Sequence, residues 1–306
     1  MRIFKNTYWF ALALSIISCA GNEDTSLNTP AVISFAAGID SVSRAATNIL
    51  QTRFSVNNRM AVYINEITSE TPSITYDQPM QYRIIDTQGS MAPVNAQAPY
   101  YPTNGHPVTI SAVFPYTAIT SDRVFKINTK QDETNNYQAS DLMFAKTSGR
   151  NLTGAMNLLF KHATSKITVN VTTDDDNIDI NYSRINILNT MTSVQLYAEY
   201  GSIGSAYGNK ESILISTDGS QASSGIILPQ RIEADTKFIE IELLTKEKVY
   251  GVMPSAYTFE AGKSYVFNIN VQIDRTPSIV TLSNIEVIDW ADAYSTPQEI
   301  TGKIKQ

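Results

Sequence analysis

The sequence predicts an all-β fold, and two observations support this prediction. Apolar and polar residues alternate along several segments, which is typical of strands that bury one face. Clusters of Gly, Pro, Asn, Asp and Ser separate these segments, and helical periodicity is scarce after residue 20. Many short strands joined by such turns are typical of antiparallel β-sandwiches.

Five segments carry the alternation, and each predicts a half-buried strand. Their apolar positions, in chain order, are Ile33, Phe35, Ala37 and Ile39; Val108, Ile110, Ala112 and Phe114; Ile167, Val169 and Val171; Val194, Leu196, Ala198 and Tyr200; and Tyr265, Phe267, Ile269, Val271 and Ile273.

The length of 306 residues is sufficient for two domains of common size. Residues 147–155, TSGRNLTGA, are small and polar and lie between two strand-rich halves. We therefore expect an N-terminal sandwich over residues 31–152 and a C-terminal sandwich over 153–306. The net charge of -6 provides no basic face, so nucleic acid is not expected as a partner.

The N-terminus has the pattern of a secretory signal peptide over residues 1–18. Two basic residues precede an apolar stretch at 8–17, which is too short to span a bilayer. Ile16-Ile17-Ser18-Cys19, which contains the only cysteine, resembles a bacterial lipobox. This resemblance implies lipidation of Cys19 and an outer-membrane lipid anchor, with residues 19–30 as a polar tether that carries Glu23 and Asp24.

No segment predicts catalysis, a cofactor or a metal site. The two histidines, His106 and His162, are not at ligand spacing from other metal-binding residues, and hydrogen-bonded structural roles are expected for both. The acidic run Asp174–Asp176 with Asp179 lacks the spacing of a helix-loop-helix calcium site. A solvated turn is the simpler interpretation, and the chain is not expected to be an enzyme.

Tyrosines suggest an alternative function. Tyr100 and Tyr101 lie in a predicted loop, APYYPTNG, where aromatic rings could stack on sugars. Tyrosines in β-proteins also commonly pack in cores or across strands. A surface lipoprotein that binds glycans is therefore the alternative hypothesis.

Five motifs in order along the chain together resemble the fimbrillin family of Bacteroidales: FAAGIDSVSRA (35–45), SDLMFAK (140–146), LLFKHATSKITVNV (158–171), FEAGKSYVFNINV (259–271) and LSNIEVIDW (282–290). The resemblance implies two tandem transthyretin-like β-sandwiches. It also implies a lipoprotein precursor of a type V-like pilus that supports cell adhesion, with other fimbrial subunits as partners.

The same resemblance implies proteolytic assembly. An arginine-specific or trypsin-like protease would cut between Arg44 and Ala45 and remove residues 31–44, whose strand carries Ile33, Phe35, Ala37 and Ile39. A strand from another subunit would fill the groove by β-augmentation. Two alternatives remain open: a cut after Arg53, or an uncut strand with Arg44 as an ordinary loop residue.

A donor strand should be a segment that its own domain does not need. Residues 278–304 follow the last strong strand pattern, with Val280, Leu282, Ile285, Val287 and Ile288 as possible groove fillers. The alternative is that this tail completes its own sandwich, with Trp290 as a core plug. Leu282 and Ile285 break strict alternation, which indicates two short strands or a bulge.

Overall fold

The structure, a computed structural model, describes residues 31–40, 54–67, 72–74, 78–94, 97–150, 154–218, 222–272, 278–282 and 285–290. The predicted all-β fold is confirmed, and the one α-helix in these ranges, α1, spans Thr134–Ser140. No helix in this part of the chain has the length and apolar character needed to cross a membrane.

The strands are, in chain order, β1 (Phe35–Ile39), β2 (Arg59–Ile67), β3 (Pro72–Ile74), β4 (Met80–Ile84), β5 (Met91–Pro93), β6 (Val108–Phe114), β7 (Val124–Lys126), β8 (Met143–Gly149), β9 (Met156–His162), β10 (Ser165–Thr172), β11 (Arg184–Tyr197), β12 (Ser202–Ile203), β13 (Tyr207–Ser216), β14 (Ala222–Ile227), β15 (Gln230–Ile232), β16 (Lys237–Glu242), β17 (Lys248–Val252), β18 (Tyr257–Phe259), β19 (Lys263–Asn270), β20 (Ser278–Thr281) and β21 (Ile285–Asp289).

The first sheet has the order β1-β9-β8-β6-β2-β4-β5, and β3 pairs with β2. Its central strand β6 is almost completely buried, because hydrophobic side chains fill both of its faces. The inward side chains of this sheet form one hydrophobic cluster, which includes Phe35, Tyr82 and Phe160.

The second half of the chain forms a four-stranded sheet, β14-β10-β19-β21, and a seven-stranded sheet in which β12-β11-β16-β17-β20 is the main path. The long strand β11 also pairs with β13 and β7, and β15 pairs with β18. A second hydrophobic cluster lies among these strands, with Phe238, Phe259 and Phe267 in mutual ring contact.

The predicted boundary at residues 152–153 does not separate the sheets. Strand β9, which we assigned to the C-terminal domain, pairs with β8 and β1 in the first sheet. Strand β7, from the N-terminal half, pairs with β11. The small, polar stretch 147–155 therefore does not mark a domain boundary: it begins within β8, which pairs with β9 in the same sheet. Turn composition is common to hairpins and domain linkers.

Among the described strands, three pairs are parallel, which the expectation of antiparallel sandwiches did not include: β1 with β9, β10 with β19, and β17 with β20. Alternation indicates which face of a strand is buried, but it carries no information on strand direction. The predicted strand through Ala198 and Tyr200 ends at Tyr197, and a 3-10 turn follows. Ile273 lies outside the described residues.

Candidate functional site

Strand β1 is held on one side by β9. The two strands run parallel, with Phe35 opposite Met156 and Ile39 opposite Phe160. The Met156 amide donates a hydrogen bond to the Ser34 carbonyl over 2.8 Å, and the Asp40 amide donates to the Phe160 carbonyl over 2.8 Å. The strand is therefore bound to β9 along its whole length.

The other side of β1 is bound by residues 89–90 and 99–101. The amides of Ile33 and Ala37 donate to the carbonyls of Pro99 and Gly89, each over 2.8 Å, and the Tyr101 amide donates to Ala31 over 2.9 Å. Antiparallel bridges join Val32 to Tyr100 and Ala36 to Ser90. Strand β1 is terminal in the sheet order, but both of its backbone edges are occupied.

The inward side chains of this segment enter the first hydrophobic cluster. Ile33, Phe35 and Ala37 are 1%, 2% and 8% exposed, whereas Ile39 is only partly buried and packs at the edge of the cluster. The ring of Phe35 meets the edge of Tyr82, with ring centroids 5.2 Å apart. Three of the four predicted strand residues are therefore core residues.

Gly89 forms the closest backbone contact with β1. Its φ of +87° is disfavoured for other residues, and a Cβ atom added here would lie 2.1 Å from the Ala37 carbonyl oxygen. The turn before it is held by Asp86, whose Oδ1 accepts hydrogen bonds from the amides of Gln88 and Ser90. Hydrogen bonds from Ser90 lower the pKa of the Asp86 carboxyl group, so the turn keeps its anionic acceptor at neutral pH.

An ion pair lies at the C-terminal end of β1. The Asp40 Oδ2 is 3.3 Å from the Nζ of Lys161, a residue of β9 whose side chain is 75% exposed. Solvent screens such a pair, so it contributes little stability. It places a carboxylate at a fixed position relative to the buried side chains of the strand.

The tail forms two strands that pair within the chain. Strand β20 runs parallel to β17, and β21 runs antiparallel to β19. Leu282 is buried against Gly251, where a Cβ would lie 2.7 Å from its side chain. Val280, Ile285 and Ile288 are partly buried, and Val287 is 44% exposed.

The end of the tail is buried in the core, as expected if the tail completes its own sandwich. Trp290 is 1% exposed and stacks on His162, and its amide donates to the Gly262 carbonyl over 2.9 Å. If the five predicted donor residues left their own chain to fill a groove elsewhere, two sheets would each lose an edge strand, β20 and β21. The described part of the tail thus corresponds to the self-completing alternative and not to a free donor strand.

The remaining predicted residues are placed as follows. Cys19, Arg44, Ala45 and Arg53 lie outside the described residues. His106 Nδ1 and His162 Nδ1 each lie 2.7 Å from a carboxylate oxygen, of Glu66 and Asp141 respectively, so both histidines are hydrogen-bonded as expected. Asp175 and Asp179 accept hydrogen bonds within turns, from Asn177 and Asn181.

The prediction that two loop tyrosines are available to stack on sugars is wrong for one of them. Tyr101 is 4% exposed and lies in the first hydrophobic cluster, and Tyr100 is 44% exposed and bridges to Val32. Both residues belong to the segment that flanks β1. Among the described residues, no group of three or more His, Cys, Asp or Glu side chains is arranged to hold a metal ion.

The sequence interpretation missed the far flank of β1, which consists of Gly89, Ser90 and Pro99–Tyr101. The glycine in the DTQGS turn was visible as a turn signal. No feature of the local sequence relates this turn to β1, which lies much earlier in the chain. Pairing between such distant segments depends on the whole fold.

Comparison with known proteins identifies the family. The model of the fimbrillin-like family matches residues 43–290, which is most of the chain. The chain belongs to the fimbrillin-like family. This family consists of structural fimbrial subunits rather than enzymes, and membership supports a fimbrial role at the cell surface.

Solved structures share the fold of this fimbrillin-like chain. A candidate cell adhesion protein from Bacteroides uniformis has a TM-score of 0.63 at 17% identity, covering 85% of this chain and 98% of that protein. A second, from Bacteroides ovatus, has a TM-score of 0.63 at 19% identity, with the same coverage of 85% and 98%. No curated protein sequence matches the chain.

Proposed function

We propose that this chain is the lipoprotein precursor of a fimbrial subunit. Cys19 carries the lipid anchor that holds it at the outer membrane. A trypsin-like or arginine-specific protease cuts after Arg44, and a strand from a neighbouring subunit then takes the place of β1. The resulting fibre supports cell adhesion.

The observation that carries this proposal is the way in which β1 is bound within the first sheet. Its backbone is hydrogen-bonded on both sides, and it contributes three side chains to the first hydrophobic cluster. Removing it exposes two rows of unpaired backbone groups and an apolar groove, which another strand can fill. Burying each large anchor contributes about 1.5–3 kcal/mol before ordering costs are subtracted.

The family match begins at residue 43, after β1, and covers most of the proposed mature chain. Residues 31–40 lie outside the match even though they complete the first sheet.

N-terminal sequencing of purified fibres tests the cut. The proposal expects this chain to begin at Ala45, and an Arg44→Ala variant should be absent from fibres. Fibres in which the chain begins at Cys19 would rule out the cut, and a start at residue 54 would move it to Arg53. The conservative variant Arg44→Lys separates the proteases, because trypsin-like enzymes accept lysine and arginine-specific ones do not.

Assembly is tested in extracts of the producing cells. Without boiling, an antibody against this chain should detect a ladder of bands, because strand-exchanged subunits resist detergent. A band at the monomer position alone, together with retention of the protein on polysaccharide columns, would favour the glycan-binding alternative instead.

The anchor is tested by metabolic labelling with palmitate. The wild-type precursor should be labelled, and Cys19→Ala should lose the label completely, since it is the only cysteine in the chain. Cys19→Ser is a matched control that preserves size and polarity. Label retained in either variant would contradict the anchor.

A further inference from the structure

The groove that β1 occupies determines which strand can replace it. Strand β9 contacts the occupant in parallel, and residues 90 and 100 bridge to it antiparallel. An occupant that preserves both sets of hydrogen bonds must run in the direction of β1. A shift by one residue would turn its inward side chains outward, so the apolar positions also fix the register.

The buried positions differ in the size of side chain that they hold. Counting from Ile33 as the first position, large side chains are buried at the first and third positions, Ile33 and Phe35. The fifth is Ala37, where only a methyl group is buried within the first hydrophobic cluster. The groove is therefore expected to exclude a large side chain at the fifth position.

The eighth position is marked by charge. Asp40 forms an ion pair with Lys161. Within the described part of the chain, this is the only ion pair that Lys161 makes. A cut after Arg44 removes Asp40 and leaves Lys161 without its carboxylate. A replacement strand with an acidic side chain at this position restores the pair, whereas a basic one places two like charges together.

The tail of this chain does not have this pattern. Within residues 278–306, three registers place large apolar residues at the first and third positions, and they begin at Val280, Ile285 and Ile288. The first has Val287 at the eighth position instead of an acid. The second and third bring charged Asp289 and Asp292 to the fifth, buried position.

We propose that the vacated groove selects a segment of a different subunit, with large apolar side chains at its first and third positions, a small one at its fifth and a carboxylate at its eighth. This inference rests on the proposed strand exchange. Lys161 is the residue that selects charge, and the hydrophobic cluster in which the Ala37 methyl group is buried limits side-chain size at the fifth position. A second copy of this chain is a poor donor.

Peptide exchange into the full chain tests the selection. The chain carries a specific protease site in place of residues 42–48, so that it can be cut while β1 remains bound. Labelled peptide AVISFAAGID (residues 31–40) is added in excess, and fluorescence anisotropy measures its incorporation. Peptides with Ala37→Leu, Asp40→Asn and Asp40→Lys, and a peptide of residues 278–290, are compared with it.

We expect the reference peptide to enter, and the Ala37→Leu peptide to bind about tenfold more weakly because of overpacking. The Asp40→Lys peptide should bind about threefold more weakly at low salt, and the Asp40→Asn peptide should be intermediate. The Lys161→Glu protein should reverse the charge preference, whereas Lys146→Glu, on the neighbouring strand β8, should not. The tail peptide should bind more weakly than any of these.

The two proposals fail in different ways. If no peptide enters, including the reference, strand exchange itself is wrong. If the reference enters and the Ala37→Leu and Asp40→Lys peptides enter equally well, strand exchange stands and the selection is wrong. Tight binding of the tail peptide, or ladders formed by the cut chain alone, would show that a second copy is a competent donor.

Discussion

The indole ring of Trp290 lies parallel to the imidazole ring of His162, with ring centroids 4.0 Å apart and an angle of 3° between the planes. His162 is the last residue of β9, the strand that also binds β1. Its Nδ1 lies 2.7 Å from Asp141, which holds the imidazole from its edge. The end of the tail therefore stacks on the last residue of β9, two residues beyond Phe160, where the pairing of β9 with β1 ends.

Trp290 should be a major stability determinant. Trp290→Ala is expected to lower the free energy of unfolding by about 3–5 kcal/mol, because a fully buried aromatic ring leaves a cavity. Val287→Ala, at an exposed position of the preceding strand β21, should cost less than about 1 kcal/mol. Urea unfolding measures both, and a loss below 1 kcal/mol for Trp290→Ala would contradict its role as a core plug.

The fluorescence of Trp290 provides a second test of its burial. It is the only tryptophan after Trp9, so a chain that begins at residue 20 reports on this position alone. We expect a blue-shifted emission, as for an indole shielded from water. A red-shifted emission in the folded chain would show that the tail is not packed as described.

Phe35 should anchor β1. Phe35→Ala is expected to cost about 3–5 kcal/mol in the uncut chain, because the ring is buried and packs against Tyr82. Ser34→Ala, at an exposed position of the same segment, is the matched control. Thermal unfolding followed by circular dichroism compares them. Equal midpoints would mean that the core of the first sheet does not need this strand.

Gly89 should be required for docking of β1, and Gly105 provides a control. Both glycines have a positive φ, but only at Gly89 would a Cβ meet another atom, the Ala37 carbonyl oxygen. Gly105→Ala should cost about 1–2 kcal/mol for backbone strain alone. Gly89→Ala should cost more and should accelerate hydrogen exchange of the Ala37 amide. Similar exchange of that amide in the two variants would show that the close contact is unimportant.

Stability should fall in strong alkali. Burial, and next the Glu199 carboxylate, raise the pKa of Tyr63 from about 10 in the unfolded chain to about 12 in the folded one. Below pH 10 the hydroxyl is neutral in both states, so its contribution is constant. Between pH 10 and 12 it ionises first in the unfolded chain, which lowers stability as pH rises.

Tyr63→Phe removes this group and tests the effect. The slope of unfolding free energy against pH between 10 and 12 should decrease, while Tyr182→Phe, at a position that is 67% exposed, should leave it unchanged. Burial also raises the pKa values of Tyr257 and Tyr265, so part of the slope should remain. An unchanged slope in Tyr63→Phe would contradict the assignment.

Local patterns predicted what local physics determines. Alternation placed Ile33, Phe35 and Ala37 in the core correctly, and it did the same for Tyr265 and Phe267 in β19. Each of these patterns needs only a period of two and one buried face. The strand bounds of β6 were predicted to the residue for the same reason.

Features that depend on distant residues were not predicted. The stretch 147–155 has the composition of a linker, but its first three residues belong to β8, which pairs with β9 within one sheet. Tyr101 is in a polar loop sequence but is buried, because its segment lies beside β1. In both cases the partner strand, which the local sequence does not specify, decides the outcome.

The two-sided binding of β1 has a mechanical consequence. A strand that is bonded along one edge only can be peeled away from its end, breaking one hydrogen bond after another. A strand held between β9 on one side and residues 89–90 and 99–101 on the other, and pulled along its axis, must shear both rows of bonds at once. A fibre whose joints copy this arrangement would resist tension from flowing liquid even though every joint is non-covalent.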